Sequence, residues 1–304
     1  MLFHKIKEKL IDPYKLLEFI LRKLSPFITN DELYVRIRYF LCMHKILHLS
    51  PPRTFNEKLQ WLKLYNRKPE YSDLVDKFRV KELVKDVVGE DHIIPTIGVW
   101  ERFDDIDFQH LPSKFVLKCT HDSGGVVICK DKGSFDYEKA RRIINKSMQR
   151  NYYQITREFP YKNVKPRIIA EHYMVDESGV ELKDYKFYCF DGKPEACFVI
   201  SGRPDHTCCD FFDMDFNKLP IQQGYPNADF KMSKPAGFDT MIAFASKLSK
   251  GFPHLRVDFY DISGKVYFGE LTFFDGGGHC RFNPDCWDRY FGDMISLPSQ
   301  KITQ

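Results

Sequence analysis

Two stretches constrain this chain more than any others: KDYKFYCFDGKPEACFVI (183–200) and RVDFYDISGKVYFGELTFF (256–274). Each sets strand-forming aromatic and β-branched residues on both sides of a short polar turn, Asp191-Gly192 in the first and Ser263-Gly264 in the second. An Asp-Gly pair between apolar runs is a strong hairpin signal, so these segments predict antiparallel pairs. A third pair, FVLKCTH (115–121) and VVICK (126–130), flanks the glycine-bearing DSGG (122–125). Helical patterns separate the hairpins: SFDYEKARRIINKSMQRNYYQI, starting near Ser134 or Asp136, and PAGFDTMIAFASKLSKGF. Hairpins interleaved with helices predict an α+β fold, antiparallel sheets with helices packed on their faces.

At 304 residues the chain can bury a sizeable core, and no apolar run nears the ~20 residues that span a bilayer. The start, MLFHKIKEKL, lacks the apolar core of a secretory signal. Nine cysteines without a C-x-x-C pair or repeating spacing point to reduced thiols and a cytoplasmic protein, not a disulfide or zinc scaffold. Residues 1–68 carry fourteen lysines and arginines against six acids, and they read as a basic helical region. Within it, HKIKEKLIDPYKLLEFILRKL has the spacing of a basic amphipathic helix. Packing of its apolar stripe on the core is the favoured expectation. The alternative is a foothold on an anionic membrane surface, with Lys5, Lys7, Lys9, Lys15, Arg22 and Lys23 near lipid phosphates and Leu10, Ile20 and Leu24 in the headgroups. A further helix is expected from Ser72 to about Val88, stopped by Gly89. The remaining chain, 69–298, reads as one catalytic unit with a glycine-loop lobe at about 110–170 and a second lobe at 171–298, followed by a tail at 299–304.

Asp-Ser-Gly-Gly also surrounds the nucleophilic serine of trypsin-like proteases, but a nucleophile needs a base and a group to orient it. With strands on either side, the loop Asp122, Ser123, Gly124, Gly125 reads better as a cover whose amides approach a phosphate, with Lys118 adding charge. Glu171, His172, Tyr173 and Met174 (in AEHYM) fit an extended linker whose backbone edge reads an adenine. Asp184 offers a short acceptor for ribose hydroxyls, with Lys186 on the same strand face. Asp258 and Glu270, on paired strands, form the oxygen-rich pair that Mg²⁺ favours alongside nucleotide phosphates. That pairing depends on register. A two-residue turn at Ser263-Gly264 sets Asp258 opposite Gly269 and turns Glu270 away, so the metal reading requires an odd-length loop. Arg203, His279 and Arg281 are candidates for the substrate side, and Gly276–Gly278 either offers amides to an oxyanion or forms a turn.

The order and spacing of TFNEKLQWLK, DKFRVKELV, LPSKFVLKCTHDSGG, KPRIIAEHYM, KDYKFYCFDGKP and RVDFYDISGKVYFGELTF resemble the ATP-grasp superfamily over about residues 50–298, and its TupA-like branch most closely. The resemblance implies an ATP-grasp fold with ATP and Mg²⁺. Lys77 and Lys118 would contact phosphates, Glu171–Met174 would bind adenine, and Asp184 would meet ribose. Asp258 and Glu270 would ligate metal, and Arg256 would steady an acyl phosphate and the tetrahedral intermediate. Many members carry Asn as a third metal-side ligand where Thr272 stands here, and the glycine loop is shorter than in many relatives. The branch, named from teichuronopeptide synthesis, implies a ligase joining a uronic acid carboxylate of a bacterial surface polysaccharide to an amino acid or amino alcohol, with no nucleic-acid partner. A sugar kinase, or a nucleotide-binding subunit of polysaccharide assembly, is the alternative.

Overall fold

The computed structural model describes residues 12–303. Helix α1 (Pro13–Leu24) and helix α2 (Asp31–Met43) lead into α3 (Phe55–Tyr65). Thr54 and Glu57 close a capping box on α3, each side chain bonding the other's backbone N–H. The helix expected over 72–88 is broken in two, α4 (Tyr71–Val75) and α5 (Arg79–Val88). Asp76 is extended at the break and its side chain accepts the Phe78 amide at 2.9 Å, so Lys77 sits in a turn rather than on a helix. Gly89 ends α5 with φ of 91°, as expected.

A four-stranded antiparallel sheet follows. It contains β1 (Thr96–Trp100), β2 (Phe115–Cys119), β3 (Val126–Cys129) and β4 (Ile168–His172), ordered β1-β4-β2-β3. Helix α6 (Tyr137–Met148), capped by Asp136, packs on β2 and β3. The helical pattern expected to run through Ile155 is interrupted, and Asn151 caps a separate short helix α7 (Tyr152–Thr156). The second sheet has six strands: β5 (Asp184–Phe190), β6 (Lys193–Ser201), β7 (Cys208–Phe212), β8 (Lys218–Leu219), β10 (Leu255–Ile262) and β11 (Lys265–Thr272). Their order is β11-β10-β5-β6-β7-β8, with every pairing antiparallel. A short β9 (Gln222–Gln223) pairs with β12 (Phe282–Asn283), α8 (Phe238–Ser249) packs on β5, β6 and β10, and α9 (Cys286–Met294) packs on α3. Each large sheet has its own apolar cluster, one around Phe115, Leu117 and Ile144, the other around Phe187, Val257 and Phe259. The α+β expectation holds.

The expected packing of α1 does not. Of its apolar residues only Leu21 is buried, whereas Leu16, Leu17, Phe19, Ile20 and Leu24 are exposed. Lys5, Lys7, Lys9 and Leu10 lie outside the described residues. Among the described residues no helix is long and apolar enough to cross a membrane.

Register at β10–β11 also departs from expectation. Ile262 pairs with Lys265, so Ser263-Gly264 is a two-residue turn, with φ of 54° and 86° as a type I′ turn requires. An unbroken ladder from that turn would hide Glu270. Instead a bulge between Asp258 and Phe259 shifts the pairing, and Asp258 meets Glu270 while Arg256 meets Thr272. The extra residue is Gly269, where a Cβ would stand 2.9 Å from the Asp258 carbonyl oxygen. The bulge, not an odd loop, brings the carboxylates to one face. Gly269→Ala should therefore force the strands apart or slip the register. A loss of about 1–3 kcal/mol in urea unfolding is expected, and an unchanged midpoint would refute the constraint.

Candidate active site

Along β10 the side chains alternate, so Arg256, Asp258 and Tyr260 share one face with Asp184, Lys186 and Tyr188 of the neighbouring β5. Arg256 is nine-tenths or more buried and is surrounded by acids. Its Nε donates to Asp258 Oδ1 at 2.7 Å, and its Nη2 donates to Asp258 Oδ2 and Glu270 Oε1, both at 2.8 Å. Nη1 donates to Asp275 Oδ1. Thr272 adds a hydroxyl to Glu270 Oε1 at 3.2 Å. Lys186 donates to Asp258 Oδ2, so both Asp258 oxygens face cations. Burial opposes the charge on Glu270, but Arg256, Lys186 and Lys77 outweigh it and hold the carboxyl at about 2. Asp275 is likewise held at about 2, where Arg256 and a hydrogen bond from the Tyr188 hydroxyl overcome desolvation.

Asp275 was absent from the sequence reading, and it is fixed from an unexpected direction. It opens a tight turn in which Gly276, Gly277 and Gly278 have φ of 54°, 64° and 71°, a left-handed run that suits glycine. The amides of Gly277 and Gly278 donate to Phe274 O and Asp275 O, each at 2.8 Å, so they serve the turn and not an oxyanion. The turn's carbonyls are clamped by α3: Gln60 Nε2 donates to Gly278 O at 2.8 Å and Lys63 Nζ to Gly277 O at 2.7 Å. Asn56 exchanges two hydrogen bonds with the Cys280 backbone, at 2.8 and 2.7 Å. His279 is half-buried beside Tyr39 and Gln60, and desolvation holds its pKa well below the ordinary range. Arg281 is exposed and donates to Cys42 O. Neither lies with the Arg256 group in these contacts.

A second charge cluster lies on the four-stranded sheet. Glu171 is buried on β4 and paired with Lys118 at 2.6 Å and with Lys81, a residue not singled out from sequence. Desolvation raises the Glu171 pKa, but the two ammonium groups outweigh it and the net shift is downward. The expected extended linker is corrected. Glu171 and His172 belong to an inner strand hydrogen-bonded to β1 and β2, and free backbone begins at Tyr173 and Met174. Asp184 pairs with Arg203 at 2.7 Å and more loosely with Lys186 at 3.7 Å. The half-buried Tyr260 hydroxyl registers both walls. Desolvation lifts its pKa well above the ordinary range, with Asp184, Glu270 and Asp258 adding from one sheet and Glu171 from the other.

The DSGG loop is the tip of the β2–β3 hairpin. Asp122 is buried: Ser147 Oγ donates to its Oδ2, and the Gly125 amide donates to Oδ1 at 3.4 Å. Lys77 Nζ donates to the Asp122 carbonyl oxygen. Among the described residues the amides of Ser123 and Gly124 meet no protein acceptor, and no histidine bonds the Ser123 hydroxyl. The neighbouring His121 instead contacts Ser147 O at 3.2 Å.

Among the described residues no three His, Cys, Asp or Glu side chains are grouped to hold a metal unaided. Mg²⁺ seldom asks for that, because one or two carboxylates with substrate phosphates and water complete its shell. Arg256 and Lys186 face three carboxylates, an excess of one negative charge. Glu270 keeps two-fifths of its side-chain surface accessible, and Oε2 has no protein partner among the described residues. The donor set fits a divalent cation, with Glu270 the more available ligand and Asp258 the more covered.

Solved structures similar to the chain include D-alanine–D-alanine ligase from Bacillus anthracis complexed with ATP, at 16% identity and a TM-score of 0.39, covering 66% of this chain and 55% of that one. D-alanine–D-alanine ligase from Helicobacter pylori matches at 14% identity and 0.43, covering 80% and 69%. The ATP-grasp ligase PsnB, complexed with minimal precursor, Mg and ADP, matches at 12% identity and 0.39, covering 73% and 60%. The chain thus spans little more than half of the Bacillus anthracis enzyme. A comparison with curated proteins returned no match. The TupA-like ATP-grasp family matches residues 57–296, from the clamping face of α3 to the end of α9, and the chain belongs to that family.

Proposed function

We propose that the protein is an ADP-forming ligase that joins the carboxylate of a uronic acid, in a bacterial surface polysaccharide or its precursor, to an amino acid or amino alcohol. The observation that carries this reading is a pair of charge clusters, Arg256 with Asp258 and Glu270 on β10 and β11 and Lys118 and Lys81 with Glu171 beside β4, whose acids all act on the Tyr260 hydroxyl. The carboxylate oxygen attacks the terminal phosphorus of ATP and ADP leaves. The amine then attacks the acyl phosphate carbon, inorganic phosphate departs, and the nitrogen loses its proton. Lys118 and Lys77 neutralise phosphate oxygens, and the free Ser123 and Gly124 amides close over them. Tyr173 and Met174 supply the backbone edge for adenine, with Glu171 and His172 behind them, and Asp184 faces the ribose. Glu270 and Asp258, supported by Thr272, would hold Mg²⁺, which would supply charge neutralisation for phosphoryl transfer. Four of the five guanidinium N–H groups of Arg256 serve carboxylates, leaving one on Nη1 for a developing oxyanion. Arg203, half exposed beside Asp184, faces the substrate carboxylate.

An ADP-release screen of uronic acids crossed with amines tests this reading. ADP formation that requires both partners is the expected result, and release with a sugar alone would instead indicate a kinase. Glu270→Gln should lower turnover by roughly a thousandfold or more, because it removes a charge acting on the transferring phosphoryl group. Near-normal turnover at ordinary Mg²⁺ would overturn the metal assignment.

Ser123→Ala should keep most activity, since the loop acts through its backbone. Lys118→Ala should lose roughly a hundredfold. The reverse ranking, together with covalent labelling of Ser123 by a fluorophosphonate, would restore the serine nucleophile.

A further inference from the structure

Helix α1 is turned inside out relative to an ordinary surface helix. Its inward face holds Tyr14, Glu18, Leu21 and Arg22, and Glu18 accepts from Arg38 Nε of α2 at 3.1 Å. Its outward face holds Leu16, Leu17, Phe19, Ile20 and Leu24, between 43% and 56% exposed, and Phe27 follows at 81%. Helix α2 carries an apolar stripe of its own, Leu33, Ile37 and Phe40, spaced four and three residues apart and all exposed. The two helices pack against each other, and the inward Tyr14 ring of α1 meets Phe40 edge-on with centroids 6.0 Å apart. Soluble monomers rarely show so many large apolar residues together unless something covers them.

We propose that this face docks on an anionic lipid surface. The charges around the stripe select that occupant. Lys15 is 78% exposed and only loosely paired with Asp12, at 3.6 Å, and Lys23 places Nζ 5.6 Å from the Phe19 ring centroid with no acid paired to it among the described residues. Lysines beside an apolar stripe lay their methylene stems along it and carry the ammonium groups to phosphate depth. A second copy of this chain would bring the same basic rims together, which disfavours self-association through this face. The inward ion pair gives the helix a reason to keep its polar side against the protein and its apolar side out. This inference concerns location and stands independently of the reaction.

Flotation of the full chain tests it, using vesicles of phosphatidylcholine alone and of phosphatidylcholine with equal phosphatidylglycerol. Binding to the anionic vesicles, weakened by salt, is expected. Two variants separate the parts of the surface. Phe19→Ser with Leu24→Ser, at exposed positions where an unchanged unfolding midpoint confirms the fold, should weaken binding roughly tenfold or more. Lys15→Glu with Lys23→Glu should do the same by reversing two charges. Failure to float with either vesicle would overturn the proposal, as would equal binding to both or variants that bind like the parent. A concentration-dependent dimer that the Phe19 and Leu24 changes dissolve, without flotation, would overturn it in favour of self-association.

Discussion

A guanidinium removed from water must be met by opposite charge, and Arg256 is met by three carboxylates from three places in the chain. A buried ion group of this kind contributes little net stability compared with apolar packing, but losing one partner leaves an uncompensated charge. It therefore specifies geometry more than it stabilises. Asp258 stands two residues along the same strand, and Glu270 reaches Arg256 only because the ladder gains a residue at Gly269. Asp275 arrives through a turn that three glycines allow. The bulge, the turn and the strand pairing are separate devices that converge on one side chain.

The same constraint explains an odd feature of α3. Its inner face is polar, with Asn56, Gln60 and Lys63 all buried at helical spacing. An ordinary helix would bury that face with leucines. Here the three side chains satisfy the carbonyls and amide of residues 277–280, groups that left-handed glycines expose and no strand can pair. The helix thus holds the turn, the turn holds Asp275, and Asp275 holds Nη1 of Arg256.

Local signals were legible in the sequence. Asp191-Gly192 has the positive φ values of its hairpin, and Lys118 and Asp258 lie on strands as alternation requires. Long-range pairing was not. No local pattern tells that Lys81 of α5 reaches Glu171 of β4, or that Asp275 closes on Arg256 nineteen residues earlier. The bulge escaped because turn chemistry fixes register only for an unbroken ladder; a glycine in mid-strand before Glu270 was the one available clue. The break at Asp76 escaped because its apolar spacing is helical, and a side chain capping the next turn overrode it. The outward face of α1 escaped because periodicity identifies an apolar stripe but not which way it points.

The charges of the two clusters are unequal in a way that limits what each can bind. On the four-stranded wall, Lys81 and Lys118 share one acid, Glu171, and Lys77, in the turn before α5, donates to the neutral Asp122 carbonyl and pairs with no acid among the described residues, which leaves that side basic. On the six-stranded floor, Arg256 and Lys186 face Asp258, Glu270 and Asp275, which leaves it acidic, while Asp184 and Arg203 balance each other. A polyanion alone would be drawn to the wall and repelled by the floor, and a lone cation would prefer the reverse. An anionic phosphate chain bridged to the floor by a divalent cation satisfies both, because each surface then faces opposite charge. In the proposed reaction this arrangement favours the nucleotide with its metal over either component alone.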